Sequence, residues 1–325
     1  MVKVSVIIPV YNVEKYIERC AISLFEQTLD DIEYIFIDDC TPDNSITILN
    51  TIVDRYPNRK PNVHIFSMQK NSGQALARLY GFKKAKGEFI ISCDSDDWVE
   101  KEMYECLYNK AVADKADVVI CDYFQSNESS KKHIVSCFNT NRDAVLADLL
   151  FHRIPGSLCC KLFKTNMFAI NNIIFPSSSI AEDVTLSVQL IWNANKISYL
   201  NKAFYYYCIN PNSSTRKVGE QVYLKKYLAA IENVNKLSSF FNDKDISKEI
   251  RDGIVFIKNY ERNILISIIS KFKYYKMWLT TFPEINIRLL LSTNIQKKYK
   301  IRFIICLLGL YPTCSYFKKL VKKTV

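Results

Sequence analysis

Glycine is scarce in this chain, with seven in 325 residues. Phosphate-cradling loops draw on several glycines just after a strand. After the first apolar run stands Tyr11-Asn12-Val13-Glu14 instead, which excludes that kind of cradle. Histidine is scarcer still: His64, His133 and His152 are the whole set, and no two of them stand at ligand spacing. A zinc site is therefore not expected. The 11 cysteines are odd in number and lack CxxC spacing. Several (Cys20, Cys93, Cys121, Cys306) fall in apolar segments and read as small buried hydrophobes in a reducing compartment. The opening Met1-Val2-Lys3 runs straight into Val4-Ser5-Val6-Ile7-Ile8-Pro9, too short and too β-branched for a signal peptide, so a cytoplasmic chain is expected. No apolar stretch reaches the ~20 residues that cross a bilayer.

The rest of the composition is that of a globular protein, 49% hydrophobic and 24% charged. The length predicts one large domain with appended structure. The net charge of +11 is unevenly placed: residues 1–215 carry −3 and residues 216–325 carry +14. Such a basic region meets nucleic acid, anionic lipid or only solvent. No nucleic-acid module is recognisable, so nucleic acid is not an expected partner.

Apolar β-branched runs alternate with segments of helical spacing through the first part. Strands are predicted at residues 4–9, 34–37, 63–66, 89–93 and 117–121, and helices at 14–25, 43–56, 72–85 and 101–113. Short connections between them imply a mostly parallel, Rossmann-like sheet flanked by helices, an α/β fold. Ligands of such sheets bind beyond the carboxyl ends of the strands. Three of those ends carry polar residues: Tyr11-Asn12, Asp38-Asp39 and Asp94-Ser95-Asp96-Asp97. Beyond residue 126 the alternation breaks. Helices are predicted at 142–150 and 183–194, short strands at 197–200 and 204–208, and a Lys-rich helical region from 221 to 273.

The densest acidic point is Asp94-Ser95-Asp96-Asp97-Trp98. Carboxylates so close repel one another, and burying them costs several kcal/mol each unless something neutralises them. Hard oxygen ligands suit Mg²⁺ or Mn²⁺, completed by phosphate oxygens and water. The alternative is a solvated loop that caps the next helix. The pair Glu182-Asp183 likewise reads either as a site or as a favourable start to a helix.

Several motifs in order resemble the inverting, nucleotide-sugar-dependent glycosyltransferases of family 2. They are Val6-Ile7-Ile8-Pro9-Val10-Tyr11-Asn12, Ile37-Asp38-Asp39-Cys40-Thr41-Pro42-Asp43-Asn44-Ser45, Asn71-Ser72-Gly73-Gln74-Ala75-Leu76-Ala77-Arg78, Asp94-Ser95-Asp96-Asp97-Trp98, Ala181-Glu182-Asp183-Val184, and Tyr205-Tyr206-Tyr207 with Ser213-Ser214-Thr215-Arg216. The resemblance covers residues 3–216 and implies the A-type glycosyltransferase fold. It divides the chain into a nucleotide-sugar-binding half at 1–125, an acceptor and catalytic-base half of the same domain at 126–216, and a helical, basic extension at 217–325.

The resemblance also implies roles. Pro9, Tyr11, Asp39, Arg78, Asp94, Ser95 and Arg216 fall at nucleotide-sugar positions. Tyr11 would stack on a base, most often uracil, Asp39 would accept its ring N–H, and Arg78 would fork onto phosphate. Asp96, with Asp94, would hold Mg²⁺ or Mn²⁺. Asp183 matches the general base, with Glu182 beside it. Asp97, Trp98 and Lys161 fall on the acceptor side, with a core anchor for the following helix as the alternative for Trp98 and a plain structural role as the alternative for Lys161. Asp43-Asn44-Ser45 reads as a turn and helix cap. Leu79, Ala181 and Cys160 depart from the family's usual Asn, Gly and Asn. The implied partners are a nucleotide-sugar donor, a UDP-sugar foremost, and a glycan or lipid-linked glycan acceptor, as in cell-surface polysaccharide synthesis. A sugar nucleotidyltransferase and a catalytically silent membrane scaffold are the rival readings. The first lacks its glycine loop, and the second would not need both Asp96 and Asp183.

In the tail, Phe303-Ile304-Ile305-Cys306-Leu307-Leu308-Gly309-Leu310 is flanked by Lys297, Lys298, Lys300 and Arg302 before and by Lys318, Lys319, Lys322 and Lys323 after. It fits a helix lying on an anionic membrane surface or one docked on the catalytic domain.

Overall fold

The computed structural model describes residues 1–127, 130–169, 173–210 and 217–311. Its strands are β1 (Val4–Val10), β2 (Ile32–Asp38), β3 (Val63–Ser67), β4 (Phe89–Ser92), β5 (Trp98–Val99), β6 (Val118–Ser126), β7 (Lys131–Ile134), β8 (Lys161–Lys164) and β9 (Ile197–Cys208). They form one sheet in the order β3-β2-β1-β4-β8-β6-β9-β5, with β7 paired to β6. Strands β1 to β4, β6 and β9 run the same way, while β8 runs against β4 and β6. The carboxyl ends of β1, β2 and β4 therefore open on one edge.

Period-two alternation sorts the side chains between two cores. Along β1, Val4, Val6, Ile8 and Val10 face the side covered by α1 (Ile17–Phe25), α2 (Ser45–Arg55) and α4 (Met103–Asp114). Ile7 faces the other side, as do Ile35 and Ile37 of β2. That second face is covered by α3 (Gln74–Lys84), α5 (Arg142–Leu150), α6 (Glu182–Trp192), α7 (Glu220–Phe240) and α8 (Lys248–Arg262). Strands buried on both faces give the continuous apolar runs that make them legible.

The strands and helices predicted up to residue 121 lie within a few residues of their places, the two-residue β5 has no predicted counterpart, and α5 spans its predicted range. Later differences have local causes. Residues 197–208 form one strand, not two, because a register shift opposite Cys121 and Asp122 loops out the polar Asn201 and Lys202. β7 has no apolar signal, since Lys131-Lys132-His133 are exposed on the edge. The Lys-rich region is not continuous. It stops after α7 and restarts at Ser247, whose hydroxyl accepts the Ile250 N–H at 3.3 Å. Then come α9 (Phe272–Thr280), α10 (Asn286–Leu291) and α11 (Lys297–Leu307). These short helices close a third apolar cluster with Trp278, Leu289 and Phe303 at its centre. The sequence boundary between residues 125 and 126 falls inside β6, so the two halves share one sheet.

Helix α3 comes unusually close to the sheet. A Cβ at Gly81 would sit 2.4 Å from Ile7 Cγ2 and 3.4 Å from Ile37 Cγ1. Gly81 lies three residues beyond Arg78, so this close approach fixes how deep that side chain reaches. We expect Gly81→Ala to lower stability by about 1–3 kcal/mol through overpacking, read as a drop in thermal midpoint. An unchanged midpoint would show that α3 does not need this approach.

Candidate active site

The open edge is fastened before any ligand arrives. The loop after β1 donates to the loop after β2: Asn12 N to Thr41 Oγ1 at 2.8 Å, Val13 N to Ser45 Oγ at 3.1 Å, and Glu14 N to Asp43 Oδ2 at 2.9 Å. Asn12 and Cys40 take left-handed φ of 55° and 58° to make these turns. Asp43 forms the turn before α2, accepting the Ser45 N–H at 3.2 Å and hydroxyl at 2.6 Å, while Asn44 at the helix cap makes no side-chain cap bond. The loop after β2 in turn holds the start of α3. Asp39 accepts the Ser72 and Gly73 N–H groups at 2.7 and 2.8 Å, one on each carboxylate oxygen. Gly73, at φ 87°, then opens α3.

Arg78, only 1% exposed, is the centre of the site. Its Nη2 donates to Asp94 Oδ1 at 2.5 Å, and its Nη1 donates to Glu182 Oε1 at 2.9 Å and Asp183 Oδ1 at 2.6 Å. Gln74, one turn earlier on the same face of α3, adds a 2.7 Å bond to Asp94 Oδ1. Burial alone would pull the Arg78 pKa down, and the three carboxylates outweigh it. One cation against three anions leaves the cluster short of positive charge. Burial accordingly pushes Glu182 up to about 7 against the pull of Arg78. Burial also raises Asp183, with Arg78 opposing and Asp94 adding to the rise. The Asp183 side chain remains 37% exposed.

Asp94 and Asp96 each keep an uncommitted oxygen. Asp96 Oδ2 accepts from Asn210 Nδ2 at 3.1 Å. Among the described residues, Asp96 Oδ1 and Asp94 Oδ2 have no hydrogen-bond partner. Burial and the neighbouring Asp94 raise the Asp96 carboxyl. Two free carboxylate oxygens in an electron-rich pocket fit a hard divalent cation. No group of three or more His, Cys, Asp or Glu among the described residues could hold a metal on its own. A cation here would leave positions for phosphate oxygens and water.

The other candidates are placed as follows. Asp97 is 1% exposed and fastened by the Tyr205 hydroxyl at 2.5 Å and the Cys208 N–H at 2.6 Å. The same Tyr205 oxygen accepts the Asp94 N–H at 3.1 Å, so β9 sets the pose of the acidic turn. Lys161 is fully buried, and its ammonium donates to the Pro155 and Ser157 carbonyls at 2.8 and 2.7 Å. It therefore pins the loop 154–160, whose Gly156 packs on Val184 beside Asp183. Trp98 stacks on Tyr206 at 4.9 Å with the Arg19 guanidinium 3.6 Å from its ring. Pro9 is buried inside β1, and Ser95 is buried in the acidic turn. Tyr11 is 45% exposed at the mouth. Arg78, expected to fork onto a phosphate, pairs with three carboxylates. Arg216 lies outside the described residues. Gln74 and Tyr205 stand in the quoted motifs without an assigned role, and Asn210 lies outside them. The i, i+4 spacing of Gln74 and Arg78 could have found the first, but Asn210 is 114 residues from its partner and leaves no local signal.

Residues 5–159 match the family model described as Glycosyl transferase family 2. The cholesterol galactosyltransferase of Borreliella burgdorferi is 32% identical over 256 residues, 74% of this chain and 70% of that protein. The poly(ribitol-phosphate) beta-N-acetylglucosaminyltransferase TarS of Staphylococcus aureus is 32% identical over 227 residues, 68% of this chain and 37% of that protein. The crystal structure of TarS 1–349 in complex with UDP matches with a TM-score of 0.71 at 22% identity, covering 99% of this chain and 92% of that one. A mannosyltransferase of Pyrobaculum calidifontis in complex with GDP-Man and Mn²⁺ matches at 0.57 and 14% identity, covering 99% of this chain and 88% of that one.

Ala181, the residue before Glu182, sits at φ 57° and ψ 15°. A left-handed pose costs a residue with a Cβ roughly 1–2 kcal/mol. Glycine removes that cost and gives back about half of it as unfolded-state entropy. Ala181→Gly is therefore expected to raise the thermal midpoint by an amount corresponding to about 0.5–1 kcal/mol. A lowered midpoint would mean that the methyl group is needed for packing.

Proposed function

The chain belongs to glycosyltransferase family 2 and has the A-type glycosyltransferase fold, and on that premise we propose that it transfers one hexose from a nucleotide-diphosphate donor to a glycan hydroxyl with inversion. One observation carries the reading: Asp94 at the donor edge and Asp183 on α6 share the guanidinium of Arg78. Donor leaving group and acceptor base would thus meet at one fixed point.

Asp183 is the proposed general base. Its Oδ1 is held by Arg78 and its side chain reaches solvent. The acceptor O–H proton passes to this carboxylate as the acceptor oxygen attacks the anomeric carbon. The new C–O bond forms on the face opposite the departing diphosphate, so one displacement inverts the centre. Raising the Asp183 pKa by burial makes it a stronger base than a free aspartate. Glu182, 4% exposed, keeps to the Arg78 side of the cluster. Asp96 and Asp94 would hold Mg²⁺ or Mn²⁺, whose charge would offset that of the departing diphosphate. Tyr11 offers an aromatic face to the base, with Asp39 fixing the turn beside it.

We favour a UDP-sugar as donor, with the UDP complex of TarS as support. Two relatives transfer N-acetylglucosamine to poly(ribitol-phosphate) and galactose to cholesterol, by their names. Both acceptors are hydroxyls, which supports a glycan or lipid-linked glycan acceptor in cell-surface polysaccharide synthesis. A lipid-linked acceptor would place the enzyme at the inner face of the cell membrane.

The test is thermal unfolding with UDP, GDP, CDP and dTDP, each with and without Mn²⁺. A diphosphate at 100 times its Kd should stabilise the fold by about 2.7 kcal/mol. We expect a Mn²⁺-dependent shift with UDP that Asp96→Ala removes. Asp183→Asn should keep that shift and lower sugar transfer by at least about 100-fold. Transfer that survives Asp183→Asn would remove it from the base role.

A further inference from the structure

Helix α11 is amphipathic the wrong way round for a solvated helix. Phe303 and Cys306 point inward, at 1% and 0% exposure, against the cluster around Trp278. Ile301, Ile304 and Leu308, spaced three and seven apart, form one outward stripe at 56%, 41% and 64% exposure. Ile287 and Leu291 on α10 are each 75% exposed. Of the 17 exposed large apolar side chains among the described residues, nine lie between 272 and 310. Such a concentration marks an interaction surface.

Its charge says what kind. Residues 263–311 hold eight Lys and Arg and a single acidic residue, Glu284. Glu284 is paired with Lys258 at 3.0 Å. Lys297 and Lys298 have no carboxylate partner among the described residues, and Lys300 donates to the Leu290 carbonyl at 2.8 Å. A second copy of the chain would set like charge against like charge here. Nucleic acid would use the lysines but not the isoleucines. No described helix is long and apolar enough to cross a membrane. An apolar stripe rimmed by lysines suits the boundary between anionic headgroups and acyl chains.

We infer that the outer side of α11, with the exposed end of α10, docks on an anionic lipid bilayer. The inference names a partner for the proposed transferase and rests on that reading for its purpose only. Docking would hold the enzyme at the surface where lipid-linked acceptors lie.

The test is cosedimentation of the full-length chain with vesicles of phosphatidylcholine alone or mixed with phosphatidylglycerol, at low and high salt. We expect binding to the mixed vesicles, weaker at high salt, and little binding to phosphatidylcholine. The triple variant Ile301→Ser, Ile304→Ser, Leu308→Ser should bind mixed vesicles at least about tenfold more weakly, with its far-ultraviolet dichroism and its UDP-induced thermal shift unchanged. The variant Lys297→Gln, Lys298→Gln should weaken binding and flatten the salt dependence. No vesicle binding, equal binding by the triple variant, or a wild-type dimer that the triple variant dissolves would overturn the inference. None of these results touches donor binding, which is read separately by the UDP shift.

Discussion

Arg78 is a charged side chain almost wholly out of water, and it is tolerable there because three carboxylates surround it. They come from two distant places, one 16 residues away at the end of β4 and two more than 100 residues away at the start of α6. Burying an unpaired guanidinium costs several kcal/mol. The cation therefore obliges α3, the acidic turn and α6 to meet, and the close packing at Gly81 lets α3 lie deep enough for it to happen. The cluster's surplus of negative charge follows from the same arrangement. Burial in it raises the Glu182 carboxyl to about 7, with the neighbouring Asp183 adding to the rise.

Around that centre, much of the polarity is scaffolding. Asp39 holds backbone N–H groups of the Ser72-Gly73 turn, Asp97 holds β9, and Lys161 holds two loop carbonyls. Irregular backbone at a sheet edge has donors and acceptors that no ladder satisfies. Buried charged side chains satisfy them and so stiffen the loops. A site assembled this way is preorganised, which is what electrostatic assistance to a departing diphosphate requires.

Much of this could be read in the chain. The strands β1, β2 and β4 announced themselves because both faces are buried, and the acidic turn stood out because three carboxylates close an apolar run. The family motifs located Arg78, Asp94, Asp96 and Asp183. What each touches was not legible. Arg78 and its α6 partners are brought together only by the fold. Asp97 and Lys161 look like site residues in sequence because burial with a backbone partner leaves no mark on residue type. The strands β5, β7 and β8 are two to four residues long, too short for a period to show. The tail read equally as a docked or a membrane helix, and α11 has a face for each.

The central claim is that one guanidinium holds Asp94, Glu182 and Asp183 together against their repulsion. It is tested most directly by thermal unfolding of the wild type, Arg78→Met and Arg78→Met with Glu182→Gln across pH 5 to 8. Glu182 at about 7 in the fold lies above its unfolded value of 4.5. The folded state thus binds the extra proton, and stability falls as pH rises through that window. The account predicts that Arg78→Met costs about 3–5 kcal/mol near neutral pH, loses more stability than wild type as pH rises, and regains part of it when Glu182→Gln removes one charge. Independent, additive effects with an unchanged pH slope would contradict it.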